Sequence, residues 1–144
     1  MITTKLGSLG EAKAITEFLK LDYTVFTPFS EGNDPFDFIA VKDGNLLRVE
    51  VKSTNSLDKN GNYIITIRAA RSNNNGNRVK LFDSNSCDMV ACYIKPIDTT
   101  CFILSKDIKT KRTLTFREEY SSHKTMPKSR QRLVKDYSNL KDIL

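Results

Sequence analysis

One histidine, three cysteines and no apolar run of bilayer-spanning length are the first things the sequence shows. The histidine, His123, lies in a polar stretch and reads as a surface or phosphate-contact residue, not as a metal ligand or a catalytic base. The cysteines, Cys87, Cys92 and Cys101, are odd in number and lack metal-type spacing. They sit in or beside apolar runs, read as buried thiols, and fit a reducing, cytoplasmic setting. A membrane helix needs about 20 consecutive apolar residues; neither such a run nor a signal peptide is discernible. No repeat is visible, and the one biased segment, Asn73-Asn74-Asn75-Gly76-Asn77, reads as a flexible loop. Negative charge is also short: 17 acidic residues face 23 basic ones, for a net charge of +6. That excess favours a polyanionic partner over a neutral one. The 144 residues suffice for a single domain with its own core.

What is present is most informative between Pro35 and Lys52. Two apolar runs, Pro35–Val41 and Leu46–Lys52, flank Lys42-Asp43-Gly44-Asn45, and Asp-Gly is a strong hairpin signal. With Asp43 and Gly44 at the tip, Val41 faces Leu46 and Asp37 faces Glu50. Glu50, Lys52 and Arg48 then share one face, while Phe36, Phe38, Leu47, Val49 and Val51 form an apolar one. Two opposed carboxylates repel at a cost of about 0.2–1 kcal/mol. A hard divalent cation, which takes oxygen ligands, removes that repulsion. The alternative is a solvated polar face on a half-exposed sheet.

Residues from about 6 to 21 read as a helix whose apolar stripe contains Ala14, Phe18, Ile15, Leu19 and Ala12, with Glu11 near its middle. A buried carboxylate there must be paired, protonated or metal-linked; the competing reading is an acid near a helix start, favoured by the macrodipole. Gly7 and Gly10 on this helix suit close backbone approach. Strands are expected at 23–27, 62–67, 88–95 and 100–104, besides the hairpin. From Arg68 to Lys80 the chain is a basic loop, with Arg68, Arg71, Arg78 and Lys80 and no acid. Residues from about 105 to 144 form a basic C-terminal part that includes Lys111, Arg112, Lys128 and Arg130. It ends in a helix over 129–144 with Leu133, Tyr137, Leu140 and Leu144 in a stripe. These basic residues are candidates for phosphate contacts. The order of elements predicts an α/β (α+β) domain with a central mixed β-sheet flanked by helices.

Gly10-Glu11 on the first helix, Pro35-Phe36-Asp37 opening a strand and Glu50-Val51-Lys52 on the next resemble the PD-(D/E)xK nuclease superfamily. The motif-bearing part covers roughly the first 55 residues. Within the superfamily the chain looks most like the homing endonucleases of group I introns and the archaeal Holliday-junction resolvases. The strand over Cys87–Tyr93 and the segment Cys101–Leu104 also resemble the first of these branches. The "PD" pair is split here by Phe36, a common variant.

The resemblance implies a restriction-endonuclease-like core and a catalytic set of Glu11, Asp37, Glu50 and Lys52. Asp37 and Glu50 would hold Mg²⁺, or Mn²⁺ as a substitute, with the Val51 carbonyl and Glu11 adding to the metal site. Lys52 would orient or deprotonate the attacking water and stabilise charge on the phosphate. The activity expected is Mg-dependent hydrolysis of phosphodiester bonds in duplex DNA, by a site-specific homing endonuclease. The alternatives are a Holliday-junction resolvase and, in another class, a DNA-binding module without catalysis. One small domain holds one site and two strands must be cut, so a homodimer or homotetramer is expected.

Overall fold

The computed structural model describes residues 2–30, 32–73 and 76–144, with side chains described for all of these except 70–73 and 76–78. The chain opens with α1 (Thr3–Lys20) and β1 (Thr24–Phe26), then forms β2 (Phe38–Lys42) and β3 (Asn45–Thr54). β4 (Tyr63–Thr66), β5 (Ala69–Asn73) and β6 (Gly76–Lys80) follow, then β7 (Met89–Ile94), β8 (Thr99–Leu104) and β9 (Thr113–Phe116). Two single helical turns, α2 (Val134–Tyr137) and α3 (Leu140–Ile143), close it.

Five strands make the central sheet in the order β1-β2-β3-β7-β8, antiparallel except for the parallel pair β3–β7. β7 is buried along its whole length, as its unbroken run Met-Val-Ala-Cys-Tyr-Ile requires of a strand covered on both faces. The β2–β3 hairpin has the anticipated register, from Phe38 opposite Val49 to Lys42 opposite Asn45. Asp43 and Gly44 at its tip both have positive φ, 51° and 79°, the backbone that a two-residue hairpin turn demands.

One sheet face carries α1. Its buried stripe is Leu6, Gly10, Ala14 and Phe18, spaced four apart. Phe18 meets Tyr23, Phe38 and Phe102 edge-on at centroid distances of 5.3, 5.5 and 6.1 Å, an arrangement favoured by the ring quadrupoles. Gly10 is where the helix comes closest to the sheet: a Cβ there would lie 2.0 Å from Ser53 Oγ. Gly7 has open space around it. The helix ends at Asp22, whose φ of 63° turns the chain toward β1.

The other face is covered by the two-stranded β4–β9 layer, and a second core of Tyr63, Ile65, Phe82, Val90, Cys92, Ile103, Leu114 and Phe116 fills the gap. All three cysteines are free and buried. From this layer projects a two-stranded ribbon, β5–β6, with Ala69 opposite Lys80 and Arg71 opposite Arg78. The basic segment is therefore a hairpin where the sequence suggested a loop; Asn74 and Asn75, central to that loop, lie outside the described residues. The C-terminal helix is also corrected. Residues 131–133 are extended because Leu133 bridges Arg117, and Asn139 caps a new turn by accepting a hydrogen bond from the Lys141 amide. Leu133 and Leu140 are buried, and Leu144 is exposed.

Candidate active site

β3 changes partner midway. Residues 45–49 pair with β2, and residues 49–54 pair with β7. β2 begins at Phe38, so beyond Val49 the β2 side of β3 is open, and the chain before β2 bends away. Asp37 sits at this fork. Its amide donates to the Val49 carbonyl (2.8 Å), and its carboxylate Oδ2 accepts from the Val51 amide at 2.6 Å. The side chain thus takes the place of the missing strand neighbour. This bend also corrects the expected apolar face: Phe38 joins the core under α1, whereas Phe36 packs on the core across the sheet.

Glu50 and Lys52 point to the β4–β9 side, the face of Val90 and Cys92 in the neighbouring strand. Lys52 Nζ lies 2.8 Å from Glu50 Oε1, with side chains only 26% and 17% exposed. Asp37, Glu50, Val51 and Lys52 line one wall of a cleft of about 360 Å³. Ala69 and Lys80 from the ribbon base, with Ile67, Leu81 and Phe82, line the other. Arg48, on the same strand face as Glu50, is not part of this cleft. It is braced on Asp88 by its amide (2.7 Å), Nε (3.2 Å) and Nη2 (3.1 Å), and Asp88 returns its amide to the Arg48 carbonyl at 2.8 Å. That brace registers the start of the parallel β3–β7 pair, and the guanidinium bonds hold the Asp88 carboxyl below the usual range.

The three acids are shifted the other way. Burial pushes Asp37 up, partly offset by the Val51 amide and by Lys52. Burial also raises Glu50, with Lys52 opposing and the Asp37 charge adding. Glu11 is raised by burial and by Asp37. Glu11 is nonetheless an exposed residue beside the Gly10–Ala14 stripe and not in its middle. Gly10 is the residue that faces β3, and its neighbour Glu11 lies near enough to Asp37 to be raised by that charge. The Asp37 charge thus raises both Glu11 and Glu50, while Lys52 draws Asp37 itself down. Among the described residues, no three His, Cys, Asp or Glu side chains converge as a ready-made metal cage. The hard oxygen donors of Asp37 and Glu50, held close enough for the Asp37 charge to raise the proton affinity of Glu50, still suit a cation that takes few carboxylates.

A family model described as PD-(D/E)XK endonuclease matches residues 1–138. The chain belongs to this family. It is an endonuclease of the PD-(D/E)XK type, whose substrate is DNA and whose chemistry generally employs divalent metal ions. A solved bacterial homing endonuclease, I-Ssp6803I, superposes with a TM-score of 0.74 at 23% identity, covering 90% of this chain and 86% of that one. The fold is accordingly restriction-endonuclease-like, as the sequence implied. No curated protein matches the chain.

Of the basic residues singled out in the sequence of this endonuclease, Lys80 lines the cleft and Arg68 stands at the ribbon base. Lys111 and Arg112 flank that base, their carbonyls accepting from Phe82 (2.9 Å) and from Ile67 (2.9 Å) and Arg68 (3.2 Å). The side chains of Arg71 and Arg78 lie outside the described residues. Lys128 and Arg130 belong to a separate exposed turn, where Lys128 lies 5.2 Å above the Tyr120 ring. β9 is not anticipated by the sequence reading, although Leu114 and Phe116 alternate with threonines; the surrounding run of basic residues obscures that period. No helix among the described residues is long and apolar enough to cross a membrane.

Proposed function

We infer that the chain is a Mg²⁺-dependent endonuclease that cuts duplex DNA at a specific site, in the manner of a homing enzyme. The observation that carries this is the cleft itself: Asp37, Glu50 and Lys52 on one wall, and a basic two-stranded ribbon opening from the other. Asp37, Glu50 and the Val51 carbonyl between them would hold the ion, with Glu11 nearby on α1. Mn²⁺ would substitute. Bound there, the ion supplies positive charge to the phosphate oxygens and a more acidic water. Lys52 would give up its Glu50 partner and serve the attacked phosphate, either as a neutral amine, its own proton already lost to solvent, taking one from water, or as an ammonium offsetting developing charge. A two-stranded ribbon fits the DNA major groove, where arginine pairs with guanine and asparagine with adenine. Arg71, Arg78 and Lys80 on the ribbon, Arg68 at its base, and Lys111 and Arg112 beside it, then approach base edges and phosphates. Lys128 and Arg130 contact phosphate further out. The site-specific reading is favoured over a junction resolvase by the likeness to I-Ssp6803I and by the ribbon, since shape recognition needs no base reader. Cutting both strands needs two sites, hence a homodimer or homotetramer.

The test incubates the protein and Mg²⁺ with a genomic library, linear duplex and a four-way junction. Discrete cut sites in the library are expected, and Asp37→Ala or Glu50→Ala should abolish them while the far-UV spectrum stays native. Cutting confined to the junction would favour the resolvase. DNA binding without cleavage would overturn the nuclease reading, and cleavage retained in either variant would overturn the site.

A further inference from the structure

The Glu50 side chain is only 17% exposed, and polar atoms largely withdrawn from water need partners. Lys52 accounts for Oε1. Behind Oε2 lies the thiol of Cys87, with Sγ 4.0 Å from Oε2 and 3.3 Å from Ser105 Oγ. Both Cys87 and Ser105 are fully enclosed, at 1% and 2% exposure. If the serine hydroxyl donates to sulfur, the S–H is free to donate to Oε2, and every polar atom in the row is satisfied. We propose that Cys87 is a positioning residue: held by Ser105, its thiol orients Glu50 so that the carboxylate presents a fixed edge to a divalent cation. This rests on the reading of Glu50 as a metal-holding residue.

The surroundings leave Cys87 little room to do otherwise. Its chain neighbour Asp88 is clamped by Arg48, and the Asp88 carbonyl accepts from the Ser105 amide at 3.0 Å. On the other side, Ser86 Oγ donates to the Asp83 carbonyl at 2.6 Å. The sulfur is thus fixed relative to β3 by the same brace that registers β3 against β7. Cys92 and Cys101 differ. They face each other across β7 and β8, and the Cys101 thiol is directed at the Val134 carbonyl, 3.9 Å away. Packing alone accounts for those two. At Cys87 an apolar residue of equal size would pack as well, but it would take from Oε2 the one donor that it has among the described residues.

Outer partners of metal ligands are worth about 10–100-fold in metal affinity. The test titrates Mn²⁺ into the full chain without DNA, followed by calorimetry and by the spectrum of free Mn²⁺. Cys87→Ala is expected to weaken binding about 10-fold or more, and Cys87→Val, which keeps the packing, to do the same. Cys87→Ser retains a donor and should recover most of the affinity. On a Glu50→Gln background, Cys87→Val should change nothing further. Cys92→Ala, a cavity elsewhere in the same core, should lower the melting temperature without moving Mn²⁺ affinity. If Cys87→Ala fails to fold, the valine variant decides. Unchanged affinity in Cys87→Val, or an equal loss on both backgrounds, overturns the positioning role alone. Absence of Mn²⁺ binding in the unmodified protein overturns the metal reading of Glu50 and the positioning role with it.

Discussion

Asp37 occupies a costly position for a carboxylate. It is half-buried, lies near enough to Glu11 and Glu50 for its charge to raise both, and gains in return one short hydrogen bond from a backbone amide and the neighbourhood of Lys52. Its proton affinity is raised, so without metal the folded state holds its proton to higher pH than the unfolded chain does. Below the ordinary aspartate value of about 3.9 the group is neutral in both states and costs nothing; as pH rises from there through the folded value, the folded protein loses stability. Asparagine carries no such penalty and can still accept from Val51. In chelator, Asp37→Asn should therefore match the unmodified protein in acid and become progressively more stable than it toward neutral pH. Urea titrations at several pH values measure the difference, and a constant difference across pH would refute the account. Asp88 runs oppositely: its guanidinium partner stabilises the fold above the usual carboxylate range, and that contribution is lost on acidification.

At the scale of elements, the packing that matters most for the site is α1 against β3. Gly10 allows it, and Gly10 and Gly7 make a matched pair for measurement. At Gly10 any side chain meets Ser53 Oγ and, at 3.2 Å, the Cβ of Tyr93. Gly10→Val should cost about 1–3 kcal/mol by overpacking and displace Glu11 from the fork. Gly7 faces open space in the same helix, so Gly7→Ala should add about 1 kcal/mol of helix stability. Thermal melts of the two variants should move in opposite directions.

The β2–β3 hairpin is legible in the sequence because one turn residue pair fixes every facing pair after it. The fork is not, because it depends on the Asp37 side chain replacing a strand neighbour, which no periodicity records. Glu11 lies shallower than its periodicity predicts for a related reason: a stripe centred on large residues ignores Gly10, the residue that in fact points at the sheet. The ribbon is hidden by composition, since asparagine, which recurs through it, has little strand propensity. The terminal helix breaks where Leu133 finds a strand-like partner in Arg117 and Asn139 caps a fresh turn.

Taken whole, the molecule has Lys80 in the cleft wall and Lys111 and Arg112 beside the ribbon base, and on the proposed reading a polyanion would pass them to reach the cleft. Lys111 and Arg112 bond the ribbon base through their carbonyls, so replacing their side chains leaves those bonds intact. The double alanine variant should weaken binding to all duplexes alike and flatten the dependence of log affinity on log salt by about 0.9 for each phosphate left without its cation. Fluorescence anisotropy at graded salt reads both effects, and weakening confined to one target sequence would assign these residues to base recognition instead.

The switch of partner along β3 also orders events in time. Its first half closes a tight local hairpin, which brings Val51 to Asp37. Its second half waits for β7, which returns only after the ribbon has been traversed, and long-range parallel pairing is slow. The Asp37 half of the proposed site is thus expected to assemble early and the Glu50–Cys87 half late. In pulse-labelled exchange during refolding, the Val51 amide should be protected before the amides of β7. A chain emerging from synthesis would carry the motif well before it carried the activity, and so would be spared cutting DNA until its last strands had docked.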